Sequence, residues 1–256
     1  MSGVWIRLRA VWKLMRVTSY VLWGAWLVAT RLPRLTPLQR EDQIKAWSLT
    51  LLEKFAIQVV VHGTPPVQGP LLLAANHISW LDIVVMLAAR PCRFVSKADI
   101  KHWPLVGAMV SAGGTLFIER ESRRDAMRVV HHMAEHLSAG DVLAVFPEGT
   151  TSDGVSLLPF HANLFQAAIA VNAPVMPVAI SYVDGATGTL SFAPCYVGDD
   201  TMMQSLWRTL KARPLRVVLT YGEAQLAQGR DRRTWAADLR AEVARGFTNA
   251  TWFVTL

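Results

Sequence analysis

One histidine and one carboxylate interrupt the almost wholly apolar stretch LLLAANHISWLDIVVML at residues 71–87. An imidazole accepts a proton near neutral pH, and a nearby carboxylate fixes its tautomer and stabilises the imidazolium that results. His77 paired with Asp82 is therefore a combination of side chains that can activate a hydroxyl group.

The spacing of His77 and Asp82 predicts that they lie on different elements. On one continuous α-helix, residues five apart point about 140° away from each other, because each residue turns the helix by about 100°. We therefore expect His77 in a loop and Asp82 in the first turn of a helix. Ser79 supports this, since Ser-x-x-Asp is a helix-start signature and Asn76 precedes it in the turn.

The same residues allow a purely structural interpretation, in which Asp82 only completes a capping box and His77 is a buried loop histidine. The rest of the chain argues against it. There is no Gly-x-Ser-x-Gly motif, and neither Cys92 nor Cys195 has the flanking residues of a catalytic thiol. Because the pair has no protein nucleophile to serve, we infer that it deprotonates the substrate itself.

Short apolar runs alternate with helical stretches after Ala56, which is typical of an α/β fold. The predicted strands cover residues 57–61, 71–75, 93–95, 116–118, 142–146, 175–180, 190–192 and 215–221. The predicted helices cover residues 81–89, 104–112, 123–137, 161–171, 202–212 and 232–246. We expect a single mixed-sheet α/β domain flanked by helices at residues 57–256.

Composition points to a membrane surface. The chain has 256 residues, a net charge of +7, ten tryptophans and a mean hydropathy of +0.27. Indole rings favour the membrane interface, whereas a nucleic-acid-binding protein would be more polar and would show basic runs with interleaved aromatic residues. We expect no nucleic-acid partner. The two cysteines show neither metal-ligand spacing nor a disulfide framework, which indicates a reducing compartment.

The first 56 residues predict a membrane-associated helical hairpin. One stripe of the first helix is apolar: Val4, Leu8, Val11, Met15 and Leu22. Its opposite side is basic: Arg9, Lys13 and Arg16. The uncharged stretch that follows is shorter than the ~20 apolar residues of a spanning helix, so we expect it to dip into one leaflet. A secretory signal peptide is the alternative.

A second helix is expected at residues 36–56, with Pro37 just inside a Thr36 cap.

Four sequence blocks in a fixed order resemble the glycerolipid acyltransferase family, whose best-known branch converts lysophosphatidate to phosphatidate. They are NHISWLD, SKADIKHWPLVGAMVSAGGTLFIER, FPEGTTSDG and APVMPVAI, all between Val59 and Tyr182. The matching positions in the second block are Lys97, Pro104, Gly107, Gly114, Phe117, Ile118 and Arg120. Four ordered blocks are far more specific than any one of them.

The resemblance implies that His77 is the general base that removes the acceptor's hydroxyl proton, with Asp82 orienting it. It also implies direct transfer from acyl-CoA or acyl carrier protein, with no metal and no organic cofactor. Arg120 and Lys97 would hold an anionic head group. Substrate-binding positions carried over are Lys97, Gly114, Phe117, Arg120, Glu148, Gly149 and Thr150. Alternatively, Arg120 forms a surface ion pair and Glu148 is a plain strand-end acid. Partners would be a lysophospholipid, the acyl thioester and membrane lipid, at the cytoplasmic face of the inner or plasma membrane.

Two departures from the family pattern concern the acceptor. Thr151 stands where the phosphatidate-forming branch usually has arginine, and His161, Ala162 and Asn163 replace a segment that often contains Lys-Gly. The family also includes enzymes that acylate lyso-ornithine lipid and have a block like EGTTSDG. We therefore predict lysophosphatidate as acceptor with lyso-ornithine lipid as the alternative. A thioester hydrolase and a catalytically silent membrane-binding protein remain further possibilities.

The segment HHMAEH contains His132-x-x-Glu135-His136, which matches an inverted zinc-protease pattern. On a helix, the two histidines lie opposite the apolar face, and no third ligand follows. We therefore predict a structural role and no metal site.

Overall fold

The computed structural model describes residues 3–98, 101, 106–118 and 123–252. Its helices are α1 (Gly3–Thr30), α2 (Pro37–Lys54), α3 (Leu81–Ala89), α4 (Val106–Ala112), α5 (Arg123–Ser138), α6 (Gln166–Ala170), α7 (Met202–Lys211) and α8 (Arg232–Trp252). Its strands are β1 (Ile57–His62), β2 (Leu71–Ala75), β3 (Arg93–Lys97), β4 (Leu116–Ile118), β5 (Val142–Val145), β6 (Val175–Asp184) and β7 (Leu215–Tyr221).

Within the described residues, the strands form one seven-stranded mixed sheet in the order β1-β7-β6-β2-β5-β3-β4. Neighbouring strands are parallel except for β6 and β7, which pair antiparallel. The predicted single mixed sheet is therefore confirmed. β2 and β5 are buried along their whole length, which explains why both read as continuous apolar runs.

Alternate residues of β2 face two different halves of the core. Leu71 and Leu73 pack on one side with residues of α2 and α3, such as Leu52 and Val85. Leu72 and Ala74 pack on the other side, where α5 and α8 cover the sheet. The sheet thus has helices on both faces, and its carboxyl edge is left to loops, where open α/β folds bind ligands.

Several predicted elements differ from the structure. β3 runs to Lys97 and α8 to Trp252, beyond their predicted ends. β6 continues to Asp184, because its second half pairs with β7. The predicted strand at 190–192 is reduced to a single bridge between Leu190 and Val183. The predicted helix at 161–171 is a short 3₁₀ turn, Ala162–Phe165, followed by α6. Pro104 and the predicted start of α4 lie outside the described residues.

The amino-terminal hairpin packs onto the α/β body. Thr36 caps α2 through its side chain and forms the reciprocal capping box with Gln39, as Pro37 and Thr36 predicted. Ala10 and Val17 of α1 belong to the same core cluster as Leu52 of α2. The division into domains at 1–56 and 57–256 stays a prediction, although helix changes to strand at Ile57.

The basic side of α1 is used differently from the sequence prediction. Lys13 is buried, and its Nζ donates to the carbonyls of Phe55 (3.2 Å) and Ala212 (3.5 Å), the C-cap residues of α2 and α7. Arg9 donates to Ala212 as well, at 3.4 Å. These cations satisfy carbonyls that helix ends leave without partners and complement the negative end of each helix dipole. Lys13 and Arg9 therefore face the protein body. Of the three basic residues that the sequence predicted to meet a bilayer, Arg16 is the exposed one.

The apolar stripe of α1 is exposed instead. It consists of the predicted Val4, Leu8, Val11, Met15 and Leu22, together with Trp5, Trp12, Trp23 and Trp26. Within the described residues, no helix is both long and apolar enough to cross a membrane.

Candidate active site

His77 lies just past the carboxyl end of the central strand β2. The residue before it, Asn76, is fully buried and exchanges two hydrogen bonds with the backbone of Ile180 on β6, at 3.0 and 2.7 Å. This side chain continues the pairing of β2 with β6 beyond Ala75, where the strand pairing ends. The hydrogen bonds of Asn76 therefore fix the backbone at the point where the chain leaves the sheet and reaches His77.

His77 and Asp82 are in direct contact, as the spacing predicted. Nδ1 of His77 lies 2.8 Å from Oδ2 of Asp82, which sits in the first turn of α3. The same oxygen accepts the backbone N–H groups of Ile78 (2.7 Å) and Ser79 (2.9 Å). Asp82 therefore binds backbone N–H groups at the start of α3 and the ring of His77 with the same oxygen.

The contacts of Asp82 determine which nitrogen of His77 carries the proton. A carboxylate can only accept hydrogen bonds, so Nδ1–H donates and Nε2 keeps a lone pair. Asp82 is completely buried, whereas the His77 side chain is 20% exposed. The ring of Phe146 stacks against the imidazole, with centroids 4.0 Å apart and planes 10° from parallel. The imidazole is thus oriented on one side and reachable from the surface.

The backbone of His77 is held by the loop after β5. Oε1 of Glu148 accepts the N–H of His77 at 2.7 Å, and the N–H of Ser152 donates to the carbonyl of His77 at 2.7 Å. The second oxygen of Glu148 accepts the N–H of Leu158 at 2.8 Å. Burial raises the pKa of Glu148, while the hydrogen bonds from Leu158 and His77 oppose that rise. Glu148 thus uses both oxygens to fix backbone, a role the sequence analysis did not foresee.

The FPEGTTSDG segment supplies the next candidate residues. Gly149 has φ +72°, a conformation that favours glycine, and its N–H closes a turn onto Phe146 at 3.0 Å. Thr150 is exposed. Thr151 donates its hydroxyl to the carbonyl of Tyr196. Because Glu148 and Ser152 of the same segment bind the backbone of His77, the segment lies beside this histidine.

The second block is spread along the sheet. Lys97 ends β3 at the same edge as His77, but β5 separates β3 from β2, which corresponds to about 10 Å. Phe117 lies on the edge strand β4, where it lines a cavity of about 490 Å³ with Leu116 and Met133. Arg120 lies outside the described residues.

Gly114 does not join His77. It precedes β4 and has φ +75°, and a Cβ there would come within 3.1 Å of the Arg93 guanidinium at the start of β3. Since β2, β3 and β4 run in the same direction, Gly114 lies at the amino edge of the sheet, opposite the edge of His77. The positive φ and the closeness of Arg93 explain why glycine stands at this position without any contact to a ligand.

Two residues of the site were missed by sequence reasoning. Tyr182 on β6 donates its hydroxyl to Oδ1 of Asp82 at 2.8 Å, and Ser152 binds the His77 carbonyl. A signal for Tyr182 did exist, since a tyrosine on a buried strand needs a partner for its hydroxyl.

The histidines of α5 are arranged differently from a zinc site. His132 is exposed beside Glu135, at 3.2 Å, while His136 contacts Asp141 beyond the end of the helix, at 2.7 Å. Among the residues that the structure describes, no group of three or more His, Cys, Asp or Glu side chains is placed to hold a metal ion.

Comparison with known proteins agrees with this fold and places the chain in a family. A family model described as Acyltransferase matches residues 58–181. A lyso-ornithine lipid O-acyltransferase from Pseudomonas aeruginosa is 38% identical over 247 residues, which covers 93% of this chain and 90% of that protein. The chain belongs to the acyltransferase family and is an enzyme of that class.

Two further proteins resemble this chain, one in sequence and one in structure. A 1-acyl-sn-glycerol-3-phosphate acyltransferase from Neisseria gonorrhoeae is 41% identical over 173 residues, 66% of this chain and 67% of that protein. The crystal structure of the 1-acyl-sn-glycerophosphate acyltransferase PlsC from Thermotoga maritima superposes with a TM-score of 0.69. The match covers 96% of this chain and 97% of that one at 19% identity, so it supports the fold alone.

Proposed function

We propose that this enzyme transfers an acyl group from a thioester to the free hydroxyl of a lysolipid, with His77 as general base. The observation that carries the proposal is the imidazole of His77, whose Nδ1 is bound to the buried Asp82 while Nε2 keeps its lone pair on an accessible ring. That arrangement removes a proton from a hydroxyl and stabilises the imidazolium formed.

In the proposed reaction, Nε2 takes the proton as the hydroxyl oxygen attacks the thioester carbonyl. The new C–O ester bond forms, the C–S bond breaks, and the imidazolium returns the proton to the leaving thiolate. General-base catalysis of this kind contributes about 10²- to 10⁴-fold in rate. An acyl-enzyme on Cys195 is disfavoured, because burial raises the pKa of this thiol to about 11 and leaves it protonated.

Lyso-ornithine lipid is the acceptor that we place first, although the sequence alone favoured lysophosphatidate. The similarity to a lyso-ornithine lipid O-acyltransferase extends over 93% of the chain. In addition, the position where arginine is usual in the phosphatidate-forming branch is Thr151, whose hydroxyl binds the backbone of Tyr196. Lysophosphatidate is the second candidate, supported by the 41% identical relative and by Lys97 at the His77 edge of the sheet.

The exposed face of α1 is proposed to lie in one leaflet of the membrane, at its cytoplasmic side. Four exposed tryptophans and the apolar stripe beside them form a continuous surface along the helix. Tryptophan prefers the depth of the lipid head groups, and an amphipathic helix lies in the plane of the interface. The acceptor would then reach His77 from the bilayer. Acyl-CoA and acyl carrier protein both suit the donor role, and neither needs a metal or an organic cofactor.

The test uses the full chain in lipid vesicles with a radiolabelled long-chain acyl thioester. Lyso-ornithine lipid and lysophosphatidate are offered separately, and both acylated lipid and free fatty acid are quantified. We expect wild type to form acylated lipid, His77→Gln to lose at least 10²-fold of the rate, and His131→Gln to match wild type, since His131 is an exposed residue of α5. Free fatty acid without acylated lipid would instead identify a hydrolase, and full activity of His77→Gln would remove the proposed base.

A further inference from the structure

Asp82 has two oxygens, and they are occupied by different partners. Oδ2 accepts His77 and two backbone N–H groups, while Oδ1 accepts the hydroxyl of Tyr182 at 2.8 Å. Tyr182 belongs to β6, 100 residues away along the chain, and is only 2% exposed. The carboxylate behind the base is therefore held from a separate strand of the sheet.

We propose that Tyr182 is a positioning residue that sets the proton affinity of the His77–Asp82 pair. The proposal rests on the proposed function of His77 as a base, and it extends the pair to a Tyr182–Asp82–His77 chain. By donating to Oδ1, the phenol stabilises the negative charge of Asp82 and keeps Oδ2 directed at Nδ1 of His77.

The direction of this hydrogen bond is fixed by chemistry. Asp82 as a carboxylate has no proton to donate, so the phenol is the donor. Burial, reinforced by the negative charge of Asp82, raises the pKa of Tyr182 well above its ordinary value. The phenol therefore keeps its proton, and remains a donor, at and around neutral pH.

Removing the hydroxyl should make the pair bind a proton more readily. Oδ1 of a completely buried carboxylate would lose its donor, and an anion with fewer donors is less stable in a buried site. A protonated imidazole relieves that cost. At a given pH, a larger fraction of His77 would then be protonated and unable to act as a base.

The neighbouring titratable groups do not duplicate this effect. Glu148 faces the backbone of His77 and accepts its N–H. Burial, together with the charge of Asp82, raises the pKa of the Cys195 thiol to about 11, so the thiol stays neutral; the charges of Arg208 and Asp153 act on it in opposite directions. In the described part of the chain, the side chain that donates to Oδ1 of Asp82 is that of Tyr182.

Tyr221 provides a matched control. It is a second buried tyrosine, on the adjacent strand β7, and its hydroxyl has no hydrogen-bond partner in the described structure. Tyr221→Phe therefore removes the same atom from the same sheet without touching Asp82. A loss caused only by disturbed packing would appear in both variants.

The first measurement is an NMR titration of the ¹⁵N-labelled histidines in the full chain in detergent, with the His77 signals assigned by their loss in His77→Gln. We expect the pKa of His77 to rise by roughly half a unit to one unit in Tyr182→Phe and to be unchanged in Tyr221→Phe. 3-Fluorotyrosine at position 182 keeps the shape of the ring but is a stronger donor, so it should lower the pKa of His77. Equal titration of His77 in all four proteins would overturn the proposal.

Acyl transfer provides the second measurement. In Tyr182→Phe we expect kcat on the acidic side of the pH–rate profile to fall roughly three- to tenfold, which corresponds to half a unit to one unit of pKa. KM should change little, and the acidic limb should move to higher pH. Tyr221→Phe should reproduce wild type in all three respects, and an unmoved acidic limb in Tyr182→Phe would count against the proposal. If wild type itself transferred no acyl group, the proposed function would fail, while the NMR titration would still decide the role of Tyr182.

Discussion

Glu148 accepts the backbone N–H of His77 at 2.7 Å across 71 residues of sequence. Its other oxygen accepts the N–H of Leu158, so one buried carboxylate ties the histidine loop to the segment after Gly154. The glutamate of the Phe-Pro-Glu-Gly block therefore acts on His77, the proposed base, through its backbone. Because Glu148 binds the backbone N–H groups of His77 and Leu158, its role can be tested without assuming any contact with the substrate.

Glu148→Gln should slow acyl transfer roughly tenfold or more. An amide has one acceptor oxygen, so either His77 or Leu158 would face an NH₂ group and lose its acceptor. The displaced backbone would misplace the imidazole. Steady-state kinetics should show the loss in kcat, with Glu53→Gln on the exposed side of α2 as control. Identical kcat values for the two variants would contradict this role.

The stability contributed by Glu148 should decrease as pH rises. Burial raises its pKa above the ordinary 4.5, so between these two values the native state holds a proton that the unfolded chain has released. We expect the free energy of unfolding of wild type, minus that of Glu148→Gln, to be largest in acid and to decline through this range. Denaturant titrations at a series of pH values measure the difference. A difference that grows with pH would show the opposite shift.

Gly24→Ala should destabilise the hairpin, although alanine normally favours a helix over glycine by about 1 kcal/mol. A Cβ at Gly24 would come within 2.4 Å of the indole of Trp47 on α2. That indole also stacks on Tyr20, with centroids 5.8 Å apart, so its room to move is small. We expect the free energy of unfolding to fall by about 1–3 kcal/mol.

Thermal unfolding followed by tryptophan fluorescence measures the effect of Gly24→Ala. Gly3→Ala is the matched control, because Gly3 belongs to the same helix and a Cβ there meets nothing within 4 Å. Equal melting temperatures for the two variants would show that Trp47 moves aside at no cost.

Lys13→Met should loosen α1 from the body. The substitution keeps the length of the side chain but removes the donor to the carbonyls of Phe55 and Ala212. Arg9 still donates to Ala212, but the Phe55 carbonyl loses its donor, and leaving a buried acceptor unsatisfied costs about 1–3 kcal/mol. Limited proteolysis of the hairpin in detergent should show faster cleavage, whereas Arg16→Met, on the exposed side of the same helix, should match wild type. Unchanged cleavage of Lys13→Met would mean that apolar packing alone holds α1.

Local signals were sufficient for much of the fold. The predicted bounds of β2, β4, β7 and α3 agree with the structure, because apolar runs ended by turn residues define them. The length of β6 was underestimated, since its last residues are strand through long-range pairing with β7, which leaves no local signal. The faces of α1 were predicted correctly, but a helical period cannot tell which face meets the protein and which meets solvent.

The same limit applies to the site. The contact of His77 with Asp82 followed from a five-residue spacing and a helix start. Tyr182 and Ser152 lie 100 and 75 residues from the groups they bind, so only the assembled sheet brings them there. Long-range hydrogen bonds leave little trace in the local sequence pattern.

Asp82 binds both His77 and groups that hold the fold, and this determines which substitution should be used to make an inactive variant. Replacing Asp82 would strip the acceptor from the amides of Ile78 and Ser79 and from the phenol of Tyr182. A cell carrying that change would lose protein as well as catalysis, and a genetic screen could not separate the two. Replacing His77 instead leaves Asp82 its other three donors, so His77→Gln is the variant that can report on activity alone.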